Sequence, residues 1–340
     1  MFNHLPRLVL LAAFFTAGCD GSGAGSGDAG AADARTEVPD ESYTLTWGPL
    51  EVAPGVEDVR CVTKKLGNGI PVNINRIHNV LGSVSHHMII YKSNDTVEAP
   101  DPARCNSIEN LISEENGLPL MITQKAEEML QLPTGVAFAM AEEQMIRIEL
   151  HYINASDAPK ELLVTSTFTP IPDAELEHAA DLLFVGNPDI DIAPMSQATL
   201  GPVYSVMPYE LGGSKIFGVT GHQHQWGVNV TVELADTETG PFASMYDLPD
   251  FNWNEPETVY YDPPMELVEG GGFRYQCDWD NQSNQSVTFG EGVDDEMCFF
   301  WAYYYPSKGP RTCFHTEMTG APLDVCCPGH QLCNVIKDYF

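Results

Sequence analysis

The chain has 340 residues, of which 43% are hydrophobic, so it is long enough and apolar enough to bury more than one core. Its 48 acidic residues and only 16 lysines and arginines give a formal net charge of −32. This charge argues against nucleic acid and anionic lipid surfaces as partners, and its simplest cause is solubility or adaptation to salt.

The first 19 residues predict an export signal. Arg7 gives a weakly basic start, residues 8–15 form a short apolar run, and small residues lead to Cys19. The ending is similar to a bacterial lipoprotein cleavage site, although Thr16 stands where Leu is usual. It predicts a lipid on Cys19 and a protein held at the periplasmic or cell-surface side. Secretion after ordinary cleavage is the alternative. The run is shorter than the ~20 residues that span a bilayer, so the lipid is the one membrane contact expected.

Residues 20–40 are rich in Gly, Ser, Ala and Asp and are expected to form a flexible tether. Beyond them, short segments rich in β-branched and aromatic residues, bounded by turn residues, predict strands. They are residues 43–47, 59–64, 84–91, 145–152, 162–168, 215–219, 227–234, 257–261, 272–277 and 297–305. Residues 108–132 are predicted to be partly helical, with residues 125–130 as the best turn.

The order of these segments shows no strand–helix–strand alternation and no nucleotide-binding glycine loop. It predicts an all-β protein built from two tandem antiparallel β-sandwich domains. We place them at residues 41–172 and 173–307, because Pro, Asp and Glu interrupt the strands near residues 170–181. Residues 308–340 are set apart as a cysteine-rich tail.

Histidines are the residues that best indicate a function. His222 and His224 alternate on a predicted strand, so both project from one face and can hold one ion. A thioether such as that of Met297 suits copper, particularly Cu(I). The neighbours His86 and His87 point to opposite faces of a regular strand, so they share a metal only at a bulge or a strand end. Taken singly, structural histidines and a core methionine explain the same residues.

The order of the motifs changes this interpretation. His-His, His-Tyr, His-x-His and Glu-Met-Cys follow one another, each on a predicted strand, and an aromatic run follows the last. This order resembles the copper type II, ascorbate-dependent monooxygenases, which include dopamine β-hydroxylase and peptidylglycine α-hydroxylating monooxygenase. The resemblance covers residues 41–307, and its motifs lie at residues 85–91, 146–152, 221–224 and 295–298.

The resemblance implies two copper ions on two jelly-roll-like domains. His86, His87 and His151 would hold the first ion at an H site, and His222, His224 and Met297 would hold the second at a catalytic M site. It implies hydroxylation of a C–H bond of a small or medium organic substrate with O2 and electrons from ascorbate or a similar reductant. Asp295 and Glu296, just before Met297, are expected to face solvent, and the alternative is that they orient the strand of Met297.

Eight cysteines follow Cys19, and an even number in an exported chain indicates disulfides. The resemblance implies that Cys61 pairs with Cys105 and Cys277 with Cys298. The pairing of the last four is left open: Cys313, Cys326, Cys327 and Cys333. Together with His315 and His330 they can also form a metal site, but an oxidised tail fits an exported chain better.

Four departures from the family pattern concern a disulfide and the substrate. Ser93 replaces a family cysteine. Thr220 stands where peptide-hydroxylating members have the Arg that binds a carboxylate, and Phe299 and Trp301 replace their Asn and Tyr. A more apolar pocket without a carboxylate anchor argues against amidation of glycine-extended peptides.

Two other functions compete with the monooxygenase. One is a lipid-tethered protein that binds or delivers copper without hydroxylating a substrate. The other is a plain β-sandwich adhesion or ligand-binding domain in which the histidines coincide by chance.

Overall fold

The computed structural model describes residues 42–105, 111, 117–317, 320–333 and 335. The predicted export signal, the tether and Cys19 lie outside these residues. Almost all regular structure in the described part is β-strand, and the longest helical pieces there are the 3₁₀ helices Asp173–Glu175 and Tyr209–Leu211. No helix among the described residues has the length and hydrophobicity that a membrane crossing requires.

The first half of the chain forms a β-sandwich, called here the first sandwich, from ten strands. They are β1 Tyr43–Val52, β2 Glu57–Lys65, β3 Val72–Val80, β4 Ser85–Ser93, β5 Ala99–Arg104, β6 Leu118–Thr123, β7 Glu127–Gln131, β8 Val136–Met140, β9 Met145–Ile153 and β10 Lys160–Ile171. One sheet has the order β1-β10-β3-β8, with β7 also paired to β3, and the other has the order β5-β2-β9-β4-β6.

The second half forms the second sandwich. Its strands are β12 Asp181–Gly186, β13 Asp191–Ile192, β14 Ser196–Val206, β15 Lys215–His222, β16 Gly227–Ala235, β17 Phe242–Asp247, β18 Val259–Glu266, β19 Gly272–Asn281, β20 Val287–Thr288, β21 Phe299–Tyr305, β22 Arg311–Thr316 and β23 Leu323–Cys327. The main sheets run β18-β15-β21-β12-β22-β23 and β14-β19-β16-β17, and β13 pairs with β20. The two-residue strand β11, His178–Ala179, lies between the halves and pairs with β8 of the first.

Both sandwiches follow one strand order. The eight main strands are β1, β2, β3, β4, β6, β8, β9 and β10 in the first half, and β12, β14, β15, β16, β17, β18, β19 and β21 in the second. When each set is numbered along the chain, one sheet has the order first, eighth, third, sixth, and the other has the order second, seventh, fourth, fifth. Such an eight-stranded pair of sheets is a jelly roll. The all-β sandwich fold predicted from the sequence is confirmed.

Burial patterns explain how the halves pack. In β10, buried Leu162, Val164 and Phe168 alternate with more exposed neighbours, as expected where one face meets the core. In β21 every residue except Tyr305 is buried. Its Phe300 belongs to the core of the second sandwich, while the alternate residues Phe299 and Trp301 join the core cluster of the first. The sheet that contains β21 therefore packs against the first sandwich.

In the region predicted to be partly helical, residues 108–132, Leu111 is in a helical position, but the helical turn predicted at residues 125–130 is wrong. Residues 118–123 and 127–131 are the strands β6 and β7. The β-branched Ile122 and Thr123 pair with β4, and Leu130 pairs with Ile77 of β3. A short apolar segment satisfies a helical spacing as easily as a strand spacing, and pairing with neighbouring strands decides between them.

Four disulfides join all eight cysteines that follow Cys19. Their partners are Cys61–Cys105, Cys277–Cys298, Cys313–Cys326 and Cys327–Cys333. The first two are the pairings that the family resemblance implies. Residues 311–327, set apart in the sequence as a tail, extend a main sheet of the second sandwich, since β22 pairs with β12 and β23 pairs with β22.

Candidate metal centre

The three H-site histidines come together in the middle of a sheet. His86 and His87 lie on β4, and His151 lies on β9 directly opposite His87. The pairing register shifts between Ser85 and His87, and such a bulge turns two consecutive side chains toward one face. Ring centroids of the three histidines are 5.0–5.3 Å apart, and one ring nitrogen of each lies within 4.8 Å of the others.

The hydrogen bonds of these histidines leave nitrogen atoms free for an ion. His151 Nε2 lies 2.8 Å from Oε1 of Glu57, and its Nδ1 is buried without a hydrogen-bond partner. A histidine that ligates a metal through one nitrogen commonly donates the other N–H to a carboxylate. The Nδ1 atoms of His86 and His87 are 3.1 Å apart, where two lone pairs can be directed at one cation. The residues present therefore fit a copper ion.

The M-site residues lie at strand ends. His222 is the last residue of β15, His224 follows it, and Met297 stands two residues before β21. The rings of His222 and His224 are 5.2 Å apart. His222 Nδ1 is 2.9 Å from Oε1 of Gln124, and His224 Nδ1 is 3.1 Å from the carbonyl oxygen of Asp295. Each Nδ1–H donates to an oxygen, so the two Nε2 atoms carry the lone pairs that a metal needs.

Glu296 fixes the backbone around the M site. The expectation that this residue faces solvent is wrong, because it is fully buried. Its carboxyl accepts hydrogen bonds from the backbone N–H groups of His224 (2.9 Å), Trp226 (2.7 Å) and Met297 (3.2 Å) and from Nε1 of Trp279 (2.9 Å). Burial raises its pKa to about 7 even though these hydrogen bonds favour the ionised form.

Burial keeps the histidines neutral. It lowers the pKa of His86 to about 3 and that of His224 to about 4. It also lowers the pKa of His151, where the bond to Glu57 opposes the shift, and brings the pKa of His87 and His222 well below the ordinary range. The neutral imidazole is the form that binds metals, so these side chains are ready to coordinate at neutral pH.

One cavity connects the two sets of residues. Its walls include His87 and His151 from the H site and all three M-site residues. The remaining lining is mainly apolar: Val59, Ile89, Leu111, Ile122, Phe184, Phe299, Trp301 and Phe314. The enclosed space of about 40 Å³ holds a few molecules of the size of water.

The four residues that depart from the family pattern have clear surroundings. Phe299 and Trp301 line the cavity. Thr220 is buried, and its hydroxyl lies 2.7 Å from that of Thr258. Ser93 donates to Asp95 at 2.7 Å.

Sequence reasoning did not identify Glu57 and Gln124, and it misplaced Glu296. Glu57 and Gln124 hold ligand histidines from strands far away in the chain, and nothing in their local sequence signals this. For Glu296, its place beside Met297 in the Glu-Met-Cys motif was the available signal.

The geometry thus defines a double jelly roll with a three-histidine set and a two-histidine, one-methionine set on one cavity. Residues 182–321, which include the M-site residues, match the family described as copper type II ascorbate-dependent monooxygenase, C-terminal domain. The second sandwich is thus similar to the C-terminal domain of the copper type II ascorbate-dependent monooxygenases.

Other comparisons concern whole chains. No curated protein sequence matches this chain. Among solved structures, the major capsid protein P2 from bacteriophage PM2 is similar with a TM-score of 0.36 and 10% identity, over 79% of this chain and 100% of that one. PNGase F, a glycosylasparaginase from Flavobacterium meningosepticum, is similar with a TM-score of 0.36 and 9% identity, over 84% of this chain and 100% of that one.

Proposed function

We propose that the protein is a two-copper monooxygenase that hydroxylates a C–H bond of an organic substrate with O2 and two electrons from ascorbate or a similar reductant. The observation that carries this proposal is the meeting of two unlike ligand sets on one cavity. A protein that stores or delivers copper needs no such matched pair.

The chemistry of the ligands supports a division of labour. Two imidazoles and the Met297 thioether favour Cu(I), whereas three imidazoles lack the soft ligand. Copper held by the M-site residues would supply the reaction with O2, and copper held by the H-site residues would supply the second electron. His86, His87, His151, His222, His224 and Met297 are the residues that would hold the two ions.

The rest of the cavity sets the conditions for that chemistry. Ile89, Phe184 and Phe314 give an apolar wall to the cavity that Met297 also lines. Phe299 and Trp301 present aromatic surface to a bound molecule and offer no carboxylate anchor. We therefore expect a small or medium organic substrate that is not held through a carboxylate of its own.

The first experiment is the copper content of the exported protein after reconstitution and dialysis. We expect two coppers per chain in the wild type and one in His222→Ala/His224→Ala. The matched control is His78→Gln, a change at an exposed histidine that pairs with Glu127, and it should retain two. A folded wild type with one copper or none would refute the two-site mechanism.

Turnover separates the enzyme from the copper-delivery protein. With both sites filled, we expect O2 consumption that depends on ascorbate and on a substrate from a panel of aromatic and aliphatic compounds. Two tightly bound coppers without hydroxylated product from any compound would instead favour the delivery protein.

We also propose that the protein acts outside the cytoplasm on a lipid anchor at Cys19. Four disulfides are typical of an oxidising compartment. Expression in a bacterial host should place the protein in the membrane fraction, and Cys19→Ala should release it or block its processing. Recovery of the wild type as a protein without lipid, measured by mass spectrometry, would contradict the anchor.

A further inference from the structure

We propose that Glu57 is a positioning residue that couples the two copper sites, so that occupancy of the H site strengthens copper binding at the M site. This inference rests on the proposed two-copper function. The observation that carries it is a single carboxylate oxygen shared between an H-site histidine and the loop that carries the M site.

The contacts of Glu57 reach both sandwiches. Glu57 begins β2, and its Oε1 lies 2.8 Å from Nε2 of His151. The same oxygen accepts a hydrogen bond from the backbone N–H of Val293, in the second sandwich, at 3.4 Å. The Glu57 side chain is 39% exposed, whereas that of His151 is only 3% exposed. The carboxylate therefore connects a buried ligand to a surface loop.

The loop that contains Val293 leads directly to the M site. The backbone N–H of Asp295 donates to the carbonyl of Gly292 at 3.0 Å, which closes a turn with Val293 at its second position. The carbonyl of Asp295 in turn accepts the bond from His224 Nδ1. Because the turn is this short, a displacement of Val293 moves the oxygen that orients His224.

A second hydrogen bond also crosses between the sandwiches. Gln124 follows β6 of the first sandwich, is 5% exposed, and holds His222 of the second sandwich through its Oε1 at 2.9 Å. Each set of ligands is thus attached to the opposite sandwich. Gln124 touches no H-site residue among its described hydrogen bonds, whereas the described hydrogen bonds of Glu57 lead to both sites.

The direction of the coupling follows from the chemistry of imidazole. When Nδ1 of His151 is a metal ligand, its Nε2–H becomes more acidic and donates a stronger bond to Glu57. A carboxylate held in this way is in place for Val293, which orders the turn and Asp295. Linkage makes the effect reciprocal, so M-site occupancy must strengthen H-site binding by the same factor.

The test measures copper affinity by competition with a chelator of known affinity. His86→Ala/His87→Ala isolates the M site, and His222→Ala/His224→Ala isolates the H site. The coupling factor is the M-site affinity in the wild type with its H site filled, divided by the M-site affinity in His86→Ala/His87→Ala. We expect a factor of about 5 or more, the lower end of ordinary coupling between sites.

Two variants interrupt the hydrogen bonds that connect His151, Glu57 and Val293, one at Glu57 and the other at Val293. Glu57→Leu should reduce H-site affinity by about 10-fold or more, alter the Cu(II) EPR spectrum of that site, and bring the coupling factor to one. Glu57→Gln, which keeps an acceptor oxygen, should restore much of the H-site spectrum. Val293→Pro removes only the N–H donor, and proline is favoured at the second position of a turn. It should abolish the coupling and leave unchanged the H-site affinity measured with the M site removed, in the His222→Ala/His224→Ala background.

The control is Glu161→Gln, an exposed glutamate on β10 in the other sheet of the first sandwich, which should change neither affinity. A wild-type coupling factor of one, or a factor that persists in Val293→Pro or Glu57→Leu, would overturn the inference while two bound coppers still support the proposed function. A wild type that binds fewer than two coppers would instead overturn the proposed function. If Glu57→Leu does not fold, Val293→Pro decides alone.

Discussion

The two sandwiches share one strand order and yet build their ligand sets in different ways. The first places His87 and His151 opposite each other on paired strands, where the ladder of backbone hydrogen bonds holds them. The second places His224 and Met297 outside regular strands. The site on paired strands takes most of its geometry from the strand pairing and one bulge, with Glu57 orienting His151. The site on loops depends on more partners, which are Glu296, the Asp295 carbonyl and the neighbouring Cys277–Cys298 disulfide.

The largest effect on stability and on copper binding should come from replacing Glu296, which accepts hydrogen bonds from several segments around the M site. Glu296→Leu leaves four buried donors without an acceptor, and each such donor costs about 1–3 kcal/mol. We expect a loss of more than about 4 kcal/mol in the free energy of unfolding, and loss of M-site copper with H-site copper retained. Urea unfolding and copper titration measure the two effects.

The control for that change is Asp294→Asn, two residues earlier. Asp294 is exposed and accepts one hydrogen bond, from Gln225. Its replacement should cost less than about 0.5 kcal/mol. Equal loss of copper from both sites in Glu296→Leu would show that the loops of the second sandwich have no special dependence on this carboxyl.

Two disulfides test the comparison, because the one that contributes more to the stability of the fold should contribute less to copper binding. The Cys61–Cys105 bond closes 44 residues and the Cys277–Cys298 bond closes 21, so loop-closure entropy gives about 4 and about 3 kcal/mol of stability. Replacement of Cys61 and Cys105 by alanine should therefore lower the free energy of unfolding more than replacement of Cys277 and Cys298. Copper affinity should fall more when the second bond is removed, because Cys298 adjoins Met297. A larger loss of M-site copper without the Cys61–Cys105 bond would contradict this view.

The fold class could be predicted because alternating strands and turn residues are local signals. Strand pairing is not local, and for this reason the sequences of β6 and β7 fit a partly helical segment as well as two strands. The common strand order of the halves has no trace as a sequence repeat. The sequence indicates that His86 and His87 can share a metal only at a bulge or a strand end. The bulge itself depends on how β4 pairs with β9, which the sequence does not show.

The candidate site shows the same division. The six proposed ligands could be identified from the order of their motifs, and their role as copper ligands stays a prediction. The contact between Glu57 and His151 could not be predicted, because it depends on the register in which β2 pairs with β9. Glu296 was misjudged, because an Asp-Glu pair ordinarily lies on the surface and four donors contributed by other segments hold it inside.

A smaller effect on stability is expected from glycine-to-alanine substitutions, which should be costly in the cavity wall and harmless in an open loop. A Cβ atom added at Gly186 of β12 would overlap the Phe299 ring and the carbonyl oxygen of Cys298. Gly186→Ala should therefore force β21 away and cost about 1–3 kcal/mol of unfolding free energy. At Gly69 an added Cβ meets nothing within 4 Å, and Gly69→Ala should be neutral or slightly stabilising. Thermal unfolding of the two variants checks this, and an equally stable Gly186→Ala would contradict the packing of β12 on β21.

The smallest effect concerns the end of the chain, far from the loops of the M site in sequence. His315 Nδ1 lies 2.9 Å from Oδ1 of Asp324 across β22 and β23. The hydrogen bond to Asp324 raises the pKa of His315 above its ordinary value. A histidine whose pKa is raised by folding contributes stability that is fully present below the unfolded pKa of about 6.5 and is lost as the pH rises through the folded pKa.

His315→Gln should therefore destabilise the copper-free protein by about 1 kcal/mol at pH 6 and by less at pH 9. Asp324→Asn should remove most of this pH-dependent difference, because only the weaker charges of Glu317 and Asp189 then raise the pKa of His315. Urea unfolding of the wild type, both single variants and the double variant at the two pH values measures the coupling. A cost of His315→Gln that is the same at both pH values would mean that the positive charge of His315 contributes nothing to stability, since a neutral imidazole can also donate a hydrogen bond to Asp324.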